Sequence, residues 1–303
     1  MLCVMPIFHV YASHVCLQTM VYARGTLVIL PRYHPQDVLD TLVEERITIF
    51  AGSPTLFTGL MAYDGFAGTD FSTLAFSHSG SSALPAEVLR EWEAATGSPI
   101  VEGYGQSEAG PVISFNPLHG DRRAGSVGIA VPETEIQIVD LDAGTKVLET
   151  GDAGEIRVRG PQIMTGYRNR PEETSQALRD GWLYTGDIGA FDEDGYLYIR
   201  DRKKEMVIVS GYNVFPREVE DVLYEQPAVR EAAVVGQPDS YRGEILRAVI
   251  ALAPDADAET ETEAILAHCR ANLAKYKVPS VIDIVDDIPK TPVGKIDKKA
   301  LRG

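Results

Sequence analysis

The residues with the clearest capacity for chemistry lie between positions 181 and 220. Asp187 ends a tight Thr-Gly-Asp turn, and Arg202 opens a basic Arg-Lys-Lys cluster one predicted strand later. A carboxylate accepts hydrogen bonds from hydroxyl groups and a guanidinium donates them, so the pair could hold a polyhydroxy group from two sides. The alternative is two surface hairpins with solvated charges, and this stretch by itself leaves both interpretations open.

Two glycine-containing turns form a second candidate site, because each follows a predicted strand. Residues 80–83 (Gly-Ser-Ser-Ala) follow the strand predicted at 74–77, and residues 103–107 (Gly-Tyr-Gly-Gln-Ser) follow the strand predicted at 99–102. In parallel sheets ligands bind where strands end, and glycine lets backbone amides approach a flat or anionic ligand. One such turn could be purely structural, whereas two on neighbouring strands favour a binding site.

The elements that position these residues predict an α/β fold followed by an α+β region. Strands alternate with helices that begin near Pro35, Pro54 and Pro85, which is typical of a mostly parallel sheet with helices on its faces. The first of these helices is predicted to carry one apolar stripe, formed by Val38, Leu39, Leu42 and Val43. From about Gly125 apolar residues recur at period two, with strands predicted at 135–139 and 155–158, which indicates a small antiparallel barrel or sandwich. After Glu205 the segments are mixed, with strands predicted at 206–209, 232–235, 246–253 and 281–285 and helices at 216–225 and 263–274. The predicted parts are therefore 1–124, 125–203 and 204–303.

Composition limits the partners and the compartment. The formal net charge of −16 argues against general binding of nucleic acid or of an anionic membrane surface. The three cysteines are an odd number without metal-ligand spacing, which fits a reducing compartment such as the cytoplasm. Residues 1–23 lack charged side chains, but Pro6 and several polar residues interrupt the apolar run. We therefore expect a buried strand and helix there, rather than a signal peptide or a membrane span.

Six sequence blocks occur in order along the chain. They are Pro6-Ile7-Phe8-His9, Gly103-Tyr104-Gly105-Gln106-Ser107-Glu108, Tyr184-Thr185-Gly186-Asp187, Asp201-Arg202-Lys203-Lys204, Ser210-Gly211-Tyr212-Asn213-Val214-Phe215-Pro216 and Pro289-Lys290-Thr291-Pro292-Val293-Gly294-Lys295-Ile296-Asp297. These blocks resemble the motifs of the adenylate-forming acyl-CoA synthetase family, which includes luciferases and the adenylation domains of peptide synthetases. Within that family, residues 160–167 and the fifth block look most like those of fatty acyl-CoA ligases of medium or long chain.

This resemblance implies a domain plan and a two-step reaction. Residues 1–124 would belong to the large α/β adenylation domain, 125–203 to its β-barrel subdomain and 204–303 to a mobile α+β domain with its hinge at Lys204. A carboxylate would attack the α-phosphate of Mg·ATP to give acyl-AMP and pyrophosphate, and the thiol of coenzyme A would then displace AMP. ATP, Mg²⁺ and coenzyme A are the implied cofactor and co-substrates.

The resemblance also assigns roles to single residues. Lys295 would reach the α-phosphate and the substrate carboxylate, and Glu108 would hold Mg²⁺. Asp187 would accept both ribose hydroxyls, with Arg202 on the same ribose. The remaining assignments are nucleotide contacts at Gly80, Ser81, Ser82, Gly103, Tyr104 (stacked on adenine), Gly105, Gln106 and Ser107, a coenzyme A channel at Ser210 and Gly211, and the acyl group at Phe8 and His9.

Plainer interpretations exist for these residues outside their motifs. Lys295 could be surface charge in a basic tail, Glu108 a solvated loop carboxylate and Asp187 a turn former. The packing of His9 in a core is as well supported as a contact with substrate.

The family's phosphate loop, rich in glycine, serine and threonine, would precede the first block by some tens of residues, whereas that block begins here at Pro6. We therefore expect an N-terminally truncated chain that adenylates a fatty acid poorly by itself. A complementing N-terminal fragment or a homo-oligomer would be a further partner. Two other functions stay open: a non-catalytic remnant that binds nucleotide, coenzyme A or a partner, and a fatty acyl-AMP ligase that loads a carrier protein. The sequence does not specify the acyl chain length.

Overall fold

A computed structural model describes residues 1–254, 256–291 and 296–302 of the chain. The chain forms two compact units. The first unit comprises Met1–Thr185 and Gly189–Ile199, and the second comprises Gly186–Ile188 and the chain from Arg200 onward.

The first unit is built on a seven-stranded sheet with parallel and antiparallel parts. Its strands are β1 (Leu2–Cys3), β2 (Val28–Ile29), β3 (Ile49–Gly52), β4 (Phe76–Ser79), β5 (Ile100–Gly105), β6 (Val112–Phe115) and β7 (Ile129–Ala130). The spatial order is β2-β1-β3-β4-β5-β6-β7; the pairs from β2 to β5 are parallel, and β5, β6 and β7 pair antiparallel. The predicted α/β fold class is confirmed, and β1 is the buried strand expected within residues 1–23.

Helices cover this sheet and supply the apolar side chains of its core. They are α1 (Thr19–Ala23), α2 (Pro35–Glu44), α3 (Pro54–Met61) and α4 (Ala86–Thr96). Helix α2 begins at Pro35 as predicted, because proline at the first helical position has no N–H to leave unpaired. Its residues Val38, Leu39 and Leu42 are buried, but Val43, predicted on the same stripe, is 43% exposed. Val43 is turned about 100° from Leu42, which takes it to the edge of the apolar face.

Residues Tyr11–Gln18 form a π-helix, which the sequence did not predict. A π-helix bonds each N–H to the carbonyl five residues back, so residues five apart share a side. Tyr11 and Cys16 accordingly both belong to the buried cluster that also contains Cys3 and Met20.

A second sheet in the order β10-β11-β9-β8, with β12 beside β11, follows from residue 135. Its strands are β8 (Glu135–Val139), β9 (Gly154–Arg159), β10 (Leu178–Arg179), β11 (Trp182–Phe191) and β12 (Leu197–Arg202), and helix α5 (Pro171–Ala177) precedes β10. The period-two pattern predicted β8 at its observed limits, and β8 and β9 pair antiparallel. Ile138, Ile156 and Val158 from these strands are buried in a common core.

The second unit carries a further five-stranded sheet in the order β14-β13-β16-β15, with β17 beside β16. Its elements are β13 (Val207–Val209), β14 (Tyr212–Val214), α6 (Pro216–Tyr224), β15 (Val229–Asp239), β16 (Gly243–Leu252), α7 (Ala258–Asn272), β17 (Val281–Val285) and α8 (Lys298–Leu301). Helix α7 starts before the predicted position 263, since the Asp257 side chain caps it by accepting from Thr260 N at 2.9 Å. The acidic residues that follow Asp257 thus occupy the helix's first turn.

Two further observations concern the sequence-based expectations. In the described ranges, none of the helices combines the length and apolar character needed to cross a bilayer. Cys3, Cys16 and Cys269 are buried free thiols.

Candidate functional site

The two glycine turns lie side by side at the carboxyl ends of β4 and β5. The strands pair in parallel with Ser79 opposite Glu102, and residues 80–83 follow β4 as the first turn. The prediction for 103–107 was wrong in part, because β5 continues to Gly105 and pairs antiparallel with β6 over 103–105; we keep the name second turn for 103–107. Glu102 is buried, and its Oε1 accepts a hydrogen bond from Leu84 N at 2.9 Å. This contact ties the far end of the first turn to the strand that leads into the second. The sequence did not single out Glu102, because a carboxylate inside a predicted strand has no pattern of its own.

Close approaches of backbone and side chain explain the glycines of the second turn. A Cβ at Gly105 would lie 1.8 Å from the carbonyl oxygen of Pro111, and a Cβ at Gly103 would lie 2.6 Å from Cδ2 of Phe115. A larger residue at Gly105 would require the backbone at Pro111 and Val112 to move, and one at Gly103 would require the Phe115 ring to move. Glycine is therefore needed at both positions because neighbouring atoms occupy the space of a side chain.

The first turn holds a strained serine. Ser81 has a φ of +73°, in the left-handed region that non-glycine residues rarely adopt. Its Oγ is buried and has no hydrogen-bond partner among the residues that the structure describes. Strain and an unpaired buried hydroxyl in one residue are typical of functional turns, because each costs stability unless a ligand or water makes use of it.

Residues 106–108 continue the second turn into a short 3₁₀ helix at Ser107–Ala109. Gln106 N donates to Pro111 O at 2.9 Å, which closes the loop. The carboxylate of the half-buried Glu108 accepts a hydrogen bond at 2.7 Å from the hydroxyl of Tyr167. Burial, and then this carboxylate, raise the pKa of Tyr167 to about 12, so the phenol stays a donor at neutral pH. Tyr167 was not a sequence-based candidate, although it ends the 160–167 segment.

Phe8 and His9 differ sharply in exposure. The Phe8 side chain is 86% exposed, whereas His9 is partly buried and its Nδ1 accepts from Tyr11 N at 3.3 Å. Of the two predicted acyl contacts, His9 is thus the one for which the structure shows a hydrogen bond.

Tyr104, the predicted adenine contact, is half-buried and packs against the core of the second sheet.

Tyr11 and His78 form a buried polar pair beneath the first turn. The Tyr11 hydroxyl lies 2.9 Å from His78 O and hydrogen-bonds to Nδ1 of the same residue. The hydroxyl also lies 3.3 Å from Gly52 O, so its single proton has three acceptors within reach. Nε2 is buried without a partner in the described chain. Burial lowers the pKa of His78 to about 3 and raises the pKa of Tyr11, so both groups are neutral at physiological pH.

This buried imidazole should make folding stability depend on pH. The pKa of His78 is about 3 in the folded chain, against an ordinary value of 6.5, so between these values only the unfolded chain binds the proton. The free energy of unfolding should therefore fall as the pH falls through this window, with His78 contributing at most about 1.4 kcal/mol per pH unit. Urea unfolding at a series of pH values from 4 to 7 measures the slope.

Two variants identify the source of that slope. His78→Gln should lose the contribution, whereas His34→Gln replaces an imidazole that is 62% exposed and should keep it. An unchanged slope in His78→Gln would show that this imidazole is not the group responsible.

In the second unit, Asp187 and Arg202 come together as predicted from their spacing. Asp187 follows Gly186, whose φ is +72°, and its carboxylate is largely buried, with Oδ1 3.5 Å from Arg202 Nε. The Arg202 side chain is 58% exposed. The pair therefore offers a buried acceptor beside an accessible donor, which suits a ligand that carries hydroxyl groups.

Asp201 fixes the backbone of Arg202 by a hydrogen bond. Its carboxylate is 8% exposed, and it accepts from Arg202 N at 2.7 Å and from Arg217 N at 2.9 Å. The second contact caps the first turn of α6, so one side chain joins the end of β12 to the start of that helix. Asp201 lies inside one of the six blocks, but no residue pattern indicates its contact with Arg217, 16 positions later.

Ser210 and Gly211 form the exposed two-residue turn between β13 and β14. Both have positive φ, +52° and +86° respectively, as hairpin turns of this length require. Lys204 is exposed in the 3₁₀ turn Lys203–Glu205. Lys295 lies outside the described residues, and its role stays a prediction.

Replacing Gly211 with alanine should lower the free energy of unfolding by about 1 kcal/mol, because an L-residue at this φ is strained. No heavy atom lies within 4 Å of the added Cβ, so the loss reports backbone strain alone. Urea unfolding followed by circular dichroism measures it. Gly68→Ala is the matched control: that glycine is equally open but its φ is not positive, so the change should be neutral or slightly stabilising. Equal losses in the two variants would contradict the strain argument.

Comparison with known proteins gives two family matches. The model of the AMP-binding enzymes matches residues 1–168, and the model of the AMP-binding enzyme C-terminal domain matches residues 218–295. A long-chain-fatty-acid–CoA ligase of Bacillus subtilis (strain 168) is 43% identical over 298 residues, which is 98% of this chain and 53% of that protein. The chain thus spans about half the length of the curated relatives it matches.

Solved structures show the same architecture. ATP-bound MatB from Rhodopseudomonas palustris superimposes with a TM-score of 0.92 at 36% identity, covering 99% of this chain and 59% of that one. The o-succinylbenzoate CoA synthetase MenE of Bacillus subtilis, in complex with its acyl-adenylate intermediate OSB-AMP, gives a TM-score of 0.87 at 29% identity, covering 100% of this chain and 60% of that one.

Proposed function

This chain belongs to the AMP-binding enzyme family, and on that basis we propose that the protein containing it is an acid–thiol ligase that joins a fatty acid to coenzyme A with ATP as the activating substrate. The observation that carries the proposal is the likeness to a long-chain-fatty-acid–CoA ligase over 98% of this chain. The adjacent glycine turns and the Asp187–Arg202 pair support it, because they offer the backbone amides and the hydroxyl acceptor that a nucleotide needs.

The reaction proceeds in two displacements. A carboxylate oxygen of the acid forms a bond to the α-phosphorus of ATP while the bond to the pyrophosphate oxygen breaks, giving acyl-AMP and pyrophosphate. The sulfur of coenzyme A then bonds to the acyl carbon, its proton is released, and the bond from that carbon to the AMP oxygen breaks. Adenylation is needed because a free carboxylate offers only a poor leaving group, whereas AMP leaves readily. Charge builds on oxygen in the first displacement, so positioning and positive charge are what the protein must supply.

The turns of the first unit would bind the adenine and phosphates. Gly80, Ser81 and Ser82 line one edge of the base, and Tyr104 stacks on its face. The backbone at 103–107 would lie near the phosphates, with Gln106 and the Ser107 hydroxyl as polar contacts. The unpaired Oγ of Ser81 gains a partner when the ligand or an accompanying water arrives.

Asp187 and Arg202 would bind the ribose. The buried carboxylate accepts hydrogen bonds from both hydroxyl groups, and the guanidinium donates to the same sugar. Asp201 fixes the backbone of Arg202 and so holds the donor in place. Lys295 brings its ammonium to the α-phosphate and the substrate carboxylate, where it offsets the negative charge of both reactants.

Glu108 fits a magnesium ion that arrives with the nucleotide. Mg²⁺ is usually held by one or two carboxylates together with substrate phosphates, and Glu108 is a half-buried carboxylate that is hydrogen-bonded to Tyr167. The described ranges contain no cluster of three or more histidine, cysteine or acidic residues placed for a metal, so phosphate oxygens would complete the ligand set. The ion, when bound, neutralises charge on the phosphates.

Ser210 and Gly211 would line the path of the pantetheine chain, since a glycine turn without neighbouring atoms leaves room for a thin ligand. Lys204 would be the hinge at which the C-terminal domain rotates between the two half-reactions. Phe8 and His9 would contact the acyl group. A cytoplasmic location belongs to the same proposal, because all three cysteines are free thiols.

The test is a product analysis of the purified protein with ATP, Mg²⁺, coenzyme A and fatty acids from acetate to palmitate. The proposal predicts equal amounts of AMP and acyl-CoA, with the highest kcat/KM for a medium- or long-chain acid. Formation of ADP instead of AMP would contradict it. So would the absence of thioester with all of the acids tested. Replacing coenzyme A by acyl carrier protein in a parallel assay distinguishes a ligase of the carrier-loading type.

A further inference from the structure

Three aromatic rings contact one another in a row across the first unit, which we call the Tyr11–His78–Phe115 stack. The buried Tyr11 of the π-helix packs on His78 of β4 with ring centroids 5.0 Å apart and an interplanar angle of 50°. His78 in turn stacks on the half-buried Phe115 of β6 at 4.8 Å with an interplanar angle of 9°. Tyr11 is 6% exposed and His78 5% exposed. The stack therefore runs from a helix, through one central strand, to another strand of the same sheet.

Both glycine turns rest directly on this stack. A Cβ at Gly80 would lie 3.3 Å from Cζ of Tyr11 and 3.6 Å from Cε1 of His78. A Cβ at Gly103 would meet the Phe115 ring at 2.6 Å and Nε2 of His78 at 3.3 Å. The rings thus fill the space that side chains would take, and His78 touches both turns.

The Tyr11 hydroxyl fixes the stack to the strand ends. It lies 2.9 Å from His78 O and 3.3 Å from Gly52 O, the last residue of β3, and it also bonds to the His78 imidazole. Gly52 and His78 lie on the neighbouring strands β3 and β4, and Gly80 follows His78 by two residues. Loss of the hydroxyl would remove these contacts and release the end of β4 from the helix, while Gly52 O would keep the hydrogen bond from Gly80 N at 3.3 Å.

We propose that Tyr11 is a positioning residue for nucleotide binding. Through the Tyr11–His78–Phe115 stack it sets the distance and relative orientation of the turns that begin at Gly80 and Gly103. Tyr11 itself does not contact the ligand. Its hydroxyl holds the His78 ring, and that ring contacts both turns. The inference rests on the proposed function, which assigns both turns to one nucleotide.

The test compares Tyr11→Phe with Tyr196→Phe in the 303-residue chain. The first keeps the ring and removes the hydroxyl; the second removes another buried tyrosine's hydrogen bond to a carbonyl, that of Asp121, away from the turns. Calorimetric titration with AMP should show about tenfold weaker binding for Tyr11→Phe and unchanged binding for Tyr196→Phe, at similar losses of thermal stability. In the complete reaction of the protein that contains this chain, the KM for ATP should rise in Tyr11→Phe while kcat stays within about twofold.

Each outcome decides the matter. A wild-type chain that binds no AMP would overturn the proposed function, whereas equal affinity of wild type and Tyr11→Phe would overturn only the positioning role. Equal weakening in both variants would show a general loss of stability and contradict the inference. If Tyr11→Phe does not fold, Phe115→Leu tests the other end of the stack by the same criteria.

Discussion

Asp187→Asn is expected to weaken the binding of AMP to this chain by about 100-fold. The Asp187 side chain is 12% exposed, and its carboxylate would accept a hydrogen bond from each ribose hydroxyl. Hydrogen bonds to a charged group contribute about 1.5 to 3 kcal/mol each, and asparagine replaces one acceptor oxygen by a donor. A loss of about 3 kcal/mol corresponds to roughly two orders of magnitude in the dissociation constant. Isothermal titration with AMP measures it.

Two controls separate the ribose contact from a general effect of charge. Asp194→Asn removes a carboxylate that is 67% exposed and paired with Arg123, and it should leave AMP affinity unchanged. Titration with 2′-deoxy-AMP should show a loss for the wild type and little further loss for Asp187→Asn. If the deoxy nucleotide distinguishes the two proteins as strongly as AMP does, Asp187 does not bind the 2′-hydroxyl.

Lys295→Ala is expected to slow the formation of acyl-AMP by about 100- to 1000-fold, the usual effect of removing one group that stabilises developing charge. The ammonium would act on the α-phosphate and the carboxylate, and these react only in the first displacement. Thioester formation from preformed acyl-AMP should therefore keep most of its rate. Quenched single-turnover assays of each half-reaction, in the protein that contains this chain, measure the two rates.

Lys299→Ala is the matched control, because Lys299 is an exposed lysine of α8 in the same basic segment. It should leave both half-reactions unchanged. Similar losses in Lys295→Ala and Lys299→Ala would point to the general charge of the segment. A Lys295→Ala protein that is slow in both half-reactions would contradict a role confined to adenylation.

Local patterns predicted much of the fold. Helix α2 begins at its proline, and β8 occupies the residues of its period-two pattern, because both depend on interactions between near neighbours. The π-helix at Tyr11–Gln18 was missed, since no residue pattern distinguishes its hydrogen bonds from those of an α-helix. Helix α7 was predicted too short because its capping residue, Asp257, lies within an acidic run that also fits a solvated face.

The candidate site divides in the same way. Asp187 and Arg202 could be paired from the sequence, because one strand-length apart they lie on connected strands, and the structure brings them to 3.5 Å. The Tyr11–His78 contact joins residues 67 positions apart, and neither residue belongs to a motif that required it. Asp201 was visible as a residue of its block but not as the cap of α6. Contacts of this kind follow from tertiary packing, which single positions do not encode.

The most direct test of the central claim, activation through an acyl-adenylate, follows the carboxylate oxygen. The acid is labelled with ¹⁸O in both carboxyl oxygens and converted to its coenzyme A thioester in unlabelled water, and the nucleotide and phosphate products are analysed by mass spectrometry. Because the attacking oxygen stays on phosphorus when the thiol displaces AMP, one ¹⁸O atom should appear in AMP for each thioester formed. Label in inorganic phosphate, or thioester formed without labelled AMP, would contradict the account.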